Sequence, residues 1–177
     1  LIKYALISSL KDTTPEGKST VDLAHKLGIT ADINDYEDAD FIEFTAQTKM
    51  SGINLVDNTT IRKGSGKAIK ELIIEKGGII PEDLDKIVDG ISRLGGTPLV
   101  TSINNKILGV IYLKDTVKPG LIERFAELRK IGIKTIMCTG DNPLTAETIA
   151  REAGLDDFIA EAKPEDKISI IKKEQAL

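Results

Sequence analysis

The spacing of apolar and polar residues predicts that the first part of the chain mixes short helices with short strands. Helices are predicted at residues 3–10, 15–27, 68–75 and 81–94, and strands at 41–46, 49–55, 59–63, 98–103 and 106–113. The acidic segment 34–40 is predicted to be a loop. Thr14 and Pro15 are typical of a helix start, and Asn104-Asn105 of a hairpin turn. Strands joined by such short connections favour an antiparallel sheet.

After residue 113 the pattern changes to a regular alternation of helices and apolar strands. Helices are predicted at 121–130, 143–153 and 164–174, with strands at 133–138 and 158–160. Alternation with buried strands favours a parallel sheet. The expected fold class is therefore an α+β domain on an antiparallel sheet over residues 1–110, followed by an α/β domain over 111–177. Two α/β units are few for a sheet of this type, and the chain begins with Leu1, so we expect a partial domain from a longer protein.

Composition excludes several classes of protein. The 177 residues are 41% hydrophobic and 29% charged, with a net charge of −4, which argues against nucleic acid as the main partner. One cysteine and one histidine exclude a disulfide framework and a histidine-rich metal site. We take both, Cys138 and His25, as structural. No apolar run approaches the roughly 20 residues of a membrane span.

Thr139-Gly140-Asp141-Asn142 lies between a predicted apolar strand and a predicted helix. In α/β sheets ligands bind at this end of the strands, and the amides of a helix N-terminus suit a phosphate. The alternative is a plain turn whose Asp or Asn caps the helix. The last predicted helix opens with Lys163-Pro164-Glu165-Asp166-Lys167, and a lysine of this segment would neutralise charge at the same edge; the alternative is a solvated first turn.

Two Gly-Lys pairs suggest phosphate-binding loops, but neither completes the motif. Ile61 occupies the first Gly position ahead of Gly66-Lys67, and Asp12 occupies it ahead of Gly17-Lys18. What remains is a strand end at which Lys63 and the Gly64 amide would meet a nucleotide, or a tight turn with solvated lysines. Phe44, placed on a neighbouring predicted strand, would stack on adenine, or belong to the core.

Taken in order, the motifs resemble one family. They are TPEGKS at 14–19, FIEFTAQTKMSG at 41–52, IRKGS at 61–65, GTP at 96–98, LKDTVK at 113–118, TGDN at 139–142 and PEDK at 164–167. This order resembles the catalytic B subunits of Kdp-type potassium-transporting P-type ATPases, over nearly the whole chain. FTAQ with MSG and RKGS is specific to that subunit, whereas TGD is general to P-type ATPases.

The resemblance implies a nucleotide-binding domain followed by part of a haloacid-dehalogenase-like phosphorylation domain. Its ATP site would place Phe44 on adenine, lined by Glu16, Ser51, Lys63 and Gly64. The phosphoryl-facing residues would be Thr139, Gly140 and Asp141, with Lys167 stabilising the charge; Asp115 would belong to the hinge. One departure is Lys67, which stands where the family usually has an acidic residue near the adenine pocket.

Two family sequences, the phosphorylated DKTGT and the magnesium-binding GDGxND, do not occur in this sequence. We therefore expect no metal site here, with Mg²⁺ belonging to the parent enzyme only, and no activity from this chain alone. The expected partners are ATP, the remainder of the B subunit and the other Kdp subunits. The expected location is the cytoplasmic side of the cell membrane, with no span in this chain.

Two other functions stay open at this point. A freestanding phosphatase of the haloacid-dehalogenase type would need a nucleophilic DxD pair, and the candidate ahead of the α/β part is Asp38-Ala39-Asp40. It falls in the acidic loop rather than after a strand. The second alternative is a module that docks other pump subunits without binding nucleotide. Lys67, the departure from the family pattern near the adenine pocket, leaves this alternative open.

Overall fold

The computed structural model describes residues 1–114 and 120–174. None of the helices in these ranges is long and apolar enough to cross a membrane. The chain divides into two compact units, Leu1–Val88 with Pro98–Leu113 and Asp89–Thr97 with Lys114–Leu177. The segment Asp89–Thr97 precedes the predicted domain boundary at 110/111, but it belongs to the second compact unit. The domain boundary at 110/111 stays a prediction.

The first unit is built on a five-stranded sheet in the order β1-β2-β3-β4-β5. The strands are β1 Asp40–Ile42, β2 Met50–Asn54, β3 Thr60–Gly64, β4 Gly96–Ile103 and β5 Lys106–Lys114. The pairs from β1 to β4 are antiparallel, with Ser51 opposite Lys63 and Lys63 opposite Thr101. The predicted α+β class on an antiparallel sheet is confirmed.

Helices cover both faces of this sheet because its side chains alternate between the faces and carry apolar clusters on each. They are α1 Ile2–Ile7, α2 Pro15–Lys26, α3 Gly66–Glu75 and α4 Leu84–Arg93, with a short 3-10 helix at Ile33–Tyr36. On one face Ile53 and Ile61 pack with Ile7 of α1. On the other face Val100 packs with Ile69 and Ile73 of α3. Each such fully buried side chain contributes about 1.5–3 kcal/mol.

The second unit alternates helices and strands, as the sequence predicts. Its elements are α5 Leu121–Lys130, β6 Ile136–Cys138, α6 Pro143–Ala153, β7 Asp157–Ile159 and α7 Pro164–Glu174. β6 and β7 pair in parallel, with Cys138 opposite Ile159, so the expected α/β character is confirmed. α6 ends at Gly154, which has a φ of 71°, a conformation that glycine adopts without steric cost.

Several predicted element boundaries are wrong, and the one at Phe44 matters most. β1 ends at Ile42, so Phe44 lies beyond the strand on which the sequence placed it. The backbone N–H of Lys49 donates to the Thr45 carbonyl at 2.8 Å, and that of Thr48 donates to Thr45 Oγ1 at 3.0 Å. This local turn uses backbone groups that a longer strand would need.

The other differences are short. The helix predicted from Pro81 begins at Leu84, and the strand predicted from Ile133 begins at Ile136. A 3-10 turn occupies part of the predicted acidic loop, where Asp32 accepts from the Asn34 N–H.

Candidate functional site

Asp12 lies at the centre of a buried polar cluster at one end of the sheet. Its Oδ2 accepts hydrogen bonds from Lys63 Nζ and Ser51 Oγ, both at 2.8 Å. The Lys63 and Asp12 side chains are 2% and 4% exposed, and Ser51 is 1% exposed. Two of the predicted ATP-site residues, Ser51 and Lys63, are therefore joined through the carboxylate of Asp12. From the sequence, Asp12 was noted only because it occupies the first Gly position of an incomplete phosphate-binding motif.

The other carboxylate oxygen of Asp12 binds the start of α2. Oδ1 accepts from the Thr14 N–H at 3.0 Å and from Thr14 Oγ1 at 2.6 Å. Thr14 Oγ1 in turn accepts from the Gly17 N–H at 3.1 Å, which is the predicted helix cap. Gly17 is in close approach to Asp12, since a Cβ on Gly17 would collide with Asp12 Cγ.

These contacts decide the ionisation of Asp12. Burial alone would raise the pKa of this carboxyl, but the hydrogen bonds from Lys63, Thr14 and Ser51 and the charge of Lys63 outweigh it. The pKa of Asp12 is therefore lowered from its usual value. Asp12 is an anion at neutral pH, and the cluster is an ion pair inside the fold.

Phe44 and Glu16 lie at the same end of the sheet, and they differ in exposure. Phe44 follows β1 two residues after Ile42, whose partner is Gly52, and so lies beside the start of β2. It is 44% exposed, and Glu16, in the first turn of α2, is half-buried. Within residues 1–114 and 120–174, neither side chain forms a hydrogen bond or an ion pair with Lys63, whose ammonium binds Asp12.

Gly64 and Lys67 flank the β3–α3 turn. A Cβ on Gly64 would collide with the Lys49 carbonyl, so the glycine permits a close backbone approach. Ser65 caps α3 by accepting from the Ala68 N–H. Lys67, the departure from the family pattern, is exposed in the first turn of α3.

Two surface depressions lie in the first unit, and one of them borders Asp12. One of about 330 Å³ is lined by Ser9–Thr13 and residues of α2, and one of about 380 Å³ by residues 34–39 and 55–57. Neither includes Phe44 or Lys63. This agrees with the burial of Lys63, since its ammonium is covered by Asp12 rather than presented in an open pocket.

In the second unit the TGDN turn follows β6 and begins α6. Thr139 Oγ1 donates to Asp141 Oδ2 at 2.8 Å and accepts from the Asp141 N–H at 3.2 Å. Asn142 Oδ1 caps α6 through the Thr145 N–H at 3.0 Å. The turn is therefore both a helix cap and a self-bonded Thr–Asp pair at the carboxyl end of a parallel strand, where such sheets bind ligands.

The loop after β7 lies beside this turn. The Ala162 N–H donates to the Thr139 carbonyl at 2.9 Å, and the Glu161 N–H to that of Asp141 at 2.8 Å. A Cβ on Gly140 would have only the Ala162 carbonyl near it, at 3.7 Å. Lys167 is exposed in α7, after this loop.

The hinge residue, the metal site and the DxD pair were also considered from the sequence. Asp115, the hinge residue, lies outside the described residues. The described ranges contain no group of three His, Cys, Asp or Glu side chains that could hold a metal ion. Asp38 lies in a turn and Asp40 opens antiparallel β1, so this DxD spacing does not follow a parallel strand.

Asp12 is the site residue that sequence reasoning missed. A local signal exists, since an Asp two residues before a Thr-Pro helix start is typical of an Asx turn. Its pairing with Lys63, 51 positions away, has no such signal. Only the tertiary fold brings the two together.

Residues 5–176 match the family model of haloacid dehalogenase-like hydrolases. A potassium-transporting ATPase ATP-binding subunit of Clostridium acetobutylicum is 65% identical over 99% of this chain and 26% of its own length. ATP-binding subunit 2 of a potassium-transporting ATPase from Listeria innocua is 62% identical, with the same shares of the two chains. This chain thus spans about a quarter of these relatives.

Solved structures with the same fold come from P-type pumps. The catalytic domain of the CPx-ATPase CopB-B matches with a TM-score of 0.67 at 18% identity, over 99% of this chain and 56% of that one. A zinc-transporting PIB-type ATPase in its E2.Pi state matches with a TM-score of 0.57 at 23% identity, over 99% and 26%. The chain therefore belongs to the haloacid dehalogenase-like hydrolase family, and over nearly its whole length it is similar to the ATP-binding subunits of potassium-transporting ATPases, as its motifs predicted.

Proposed function

We propose that this chain is the ATP-binding segment of a potassium-transporting P-type ATPase catalytic subunit. The observation that carries the proposal is exposed Phe44 beside the strand ends that hold Ser51 and Lys63, in a chain 65% identical to a subunit named for ATP binding. In this role the first unit captures the nucleotide and the second faces the phosphoryl group that is transferred.

The adenine ring stacks on Phe44. A base on an aromatic side chain contributes about 1–3 kcal/mol and needs an accessible ring face, which an exposed Phe44 offers. Glu16 and the backbone at Gly64 border the same end of the sheet. Lys63 and Ser51 support the site from inside the fold, since their polar atoms are held by Asp12.

The phosphoryl end involves Thr139, Gly140 and Asp141. In the transfer, the bond between the γ-phosphorus and the β–γ bridging oxygen breaks while a carboxylate oxygen of an aspartate bonds to that phosphorus, and ADP leaves with the bridging oxygen. That aspartate lies in a DKTGT sequence that this chain does not contain. Thr139, Gly140 and Asp141 face the phosphoryl oxygens, and Lys167 offsets their developing charge.

Mg²⁺ does not fit the residues described. Asp141 offers one carboxylate, and one of its oxygens already accepts from Thr139. An octahedral Mg²⁺ site needs more oxygen ligands than this. Binding of the ion therefore belongs to the parent enzyme in this proposal.

The partners in this proposal are ATP, the remainder of the B subunit and the other subunits of the pump. A nucleotide-binding segment of such a transporter works on the cytoplasmic side of the membrane, where ATP is available. A net charge of −4 leaves nucleic acid an unfavourable partner.

An ATP titration followed by backbone amide NMR shifts tests the proposal. We expect shifts clustered around Phe44, Ser51 and Lys63, and a Kd that rises at least about fivefold in Phe44→Ala, the low end of what a lost stacking contact causes. The matched control is Tyr112→Ala: Tyr112 is 43% exposed, like Phe44 at 44%, but lies in β5 at the other edge of the sheet. If both variants bind ATP as tightly as the parent chain, the adenine site is not at Phe44.

A further inference from the structure

We propose that Asp12 is the positioning residue of the nucleotide site, holding Lys63, Ser51 and the start of α2 in one arrangement. The inference rests on the proposed ATP site and adds a residue to it. Asp12 is not a ligand in this role. It acts on the nucleotide only through the groups that it holds.

The hydrogen-bond capacity of Asp12 supports a positioning role. A carboxylate offers about four lone-pair sites. Oδ1 takes two donors, both from Thr14, and Oδ2 takes Ser51 and Lys63. Because all of these sites are filled, Asp12 has no acceptor left for a base or a ribose.

The four bonds join three separate elements. Ser51 belongs to β2, Lys63 to β3, and Thr14 caps α2, whose first turn carries Glu16. Ser51 is also directly opposite Lys63 in the sheet. One carboxylate thus sets the spacing between the helix and the two strand ends from which the proposed site is built.

Burial makes this arrangement rigid. With Asp12 and Lys63 4% and 2% exposed, either charge left alone would be stranded away from water, which is strongly unfavourable. The crowding between Gly17 and Asp12 restricts the carboxylate further. Lys63 therefore has no alternative position of similar energy while Asp12 is ionised.

The test is Asp12→Asn in the full chain, measured by ATP affinity and by the ¹⁵N–¹H signal of the Lys63 ammonium, which a buried, hydrogen-bonded ammonium protects from exchange. We expect ATP affinity to fall at least about tenfold and the ammonium signal to disappear. Amide spectra establish that the variant is folded.

The matched control is Asp32→Asn. Asp32 makes the same turn contact, accepting from the backbone N–H two residues on at 2.9 Å, but it is exposed and holds Asn34 rather than a lysine. We expect this variant to keep both the affinity and the signal. Equal losses in the two variants would overturn the proposal, since they would reflect the turn alone.

A second comparison covers the case in which Asp12→Asn does not fold. The double variant Lys63→Met, Asp12→Asn leaves neither charge stranded, and its ATP affinity should differ less than about twofold from that of Lys63→Met alone, in which Asp12 still accepts from Ser51 and Thr14. A tenfold loss there would mean that Asp12 acts independently of Lys63 and would overturn the inference. A parent chain that binds no ATP would instead overturn the proposed function, while the ammonium signal would still report whether Asp12 holds Lys63.

Discussion

Arg62 lies across Gly52, its register partner on the neighbouring strand. A Cβ on Gly52 would stand 2.7 Å from Arg62 Cδ and would collide with the Ile61 carbonyl. From this position Arg62 Nη1 donates to the carbonyls of Ile53 and Ile61, and Nη2 to Asn54 Oδ1 at 2.6 Å. The contact gives the glycine of MSG and the arginine of IRKGS a shared structural role.

Gly52→Ala is therefore expected to destabilise the first unit by about 1–3 kcal/mol, the usual cost of overpacking a filled space. Arg62 would be pushed from three acceptors while half-buried, and burial already lowers the pKa of its guanidinium. Urea denaturation measures the loss. The control is Gly90→Ala in α4, where a Cβ meets nothing within 4 Å; it should gain about 1 kcal/mol. Equal effects of the two variants would contradict this account.

Thr101→Val is expected to stabilise the protein by about 1 kcal/mol, because an unpaired buried polar group costs about that much or more. Thr101 is fully buried and its Oγ1 has no hydrogen-bond partner among the described residues. Thr145 is as buried, but its Oγ1 donates to the Gly96 carbonyl at 2.9 Å. Thr145→Val should therefore destabilise. Calorimetry of both variants decides, and a loss of stability in Thr101→Val would refute the prediction.

Asp156 should make the protein sensitive to acid. Hydrogen bonds from the backbone and side chain of Thr135, and then from Arg129, lower the pKa of its carboxyl from 3.8 to about 2. Since the pKa is lower in the folded state, the stabilisation is complete above about pH 4 and is lost as the pH falls through 2. Asp156→Asn should flatten the decline of stability between these values.

An NMR titration of the Asp156 carboxyl carbon checks the same point directly. Arg129 Nε donates to Asp156 Oδ1 at 2.8 Å, so Arg129→Met should move the midpoint to higher pH. A midpoint near 3.8 in the parent chain, or no change in the variant, would contradict the assignment.

Two substitutions of Asn142 should show how much its helix cap contributes to stability. Asn142→Ala removes the α6 cap and is expected to cost about 1 kcal/mol. Asn142→Asp keeps the capping oxygen and places a negative charge at the helix N-terminus, which is favourable, but loses the Nδ2 donor to Ser92 Oγ at 3.0 Å. Thermal denaturation should place Asn142→Asp closer to the parent chain. Both variants lose the contact with Ser92, so the reverse order would show that the added negative charge costs more than the retained cap contributes.

The sequence predicted the features whose causes lie within a few residues. Thr14 caps α2 and Gly154 ends α6 because cap chemistry needs only neighbouring backbone groups. The change from antiparallel to parallel pairing followed from the alternation of elements. The family, too, could be read from the order of the motifs.

Tertiary structure decided what depends on distant partners. One exception is local: Phe44 was expected on a strand, but the turn at Thr45 ends β1 before it. Lys63 was expected at an open strand end, whereas Asp12, 51 positions earlier, buries it as an ion pair. A sequence shows which residues are charged, but the solvation and pairing of a charge depend on what the fold places around it.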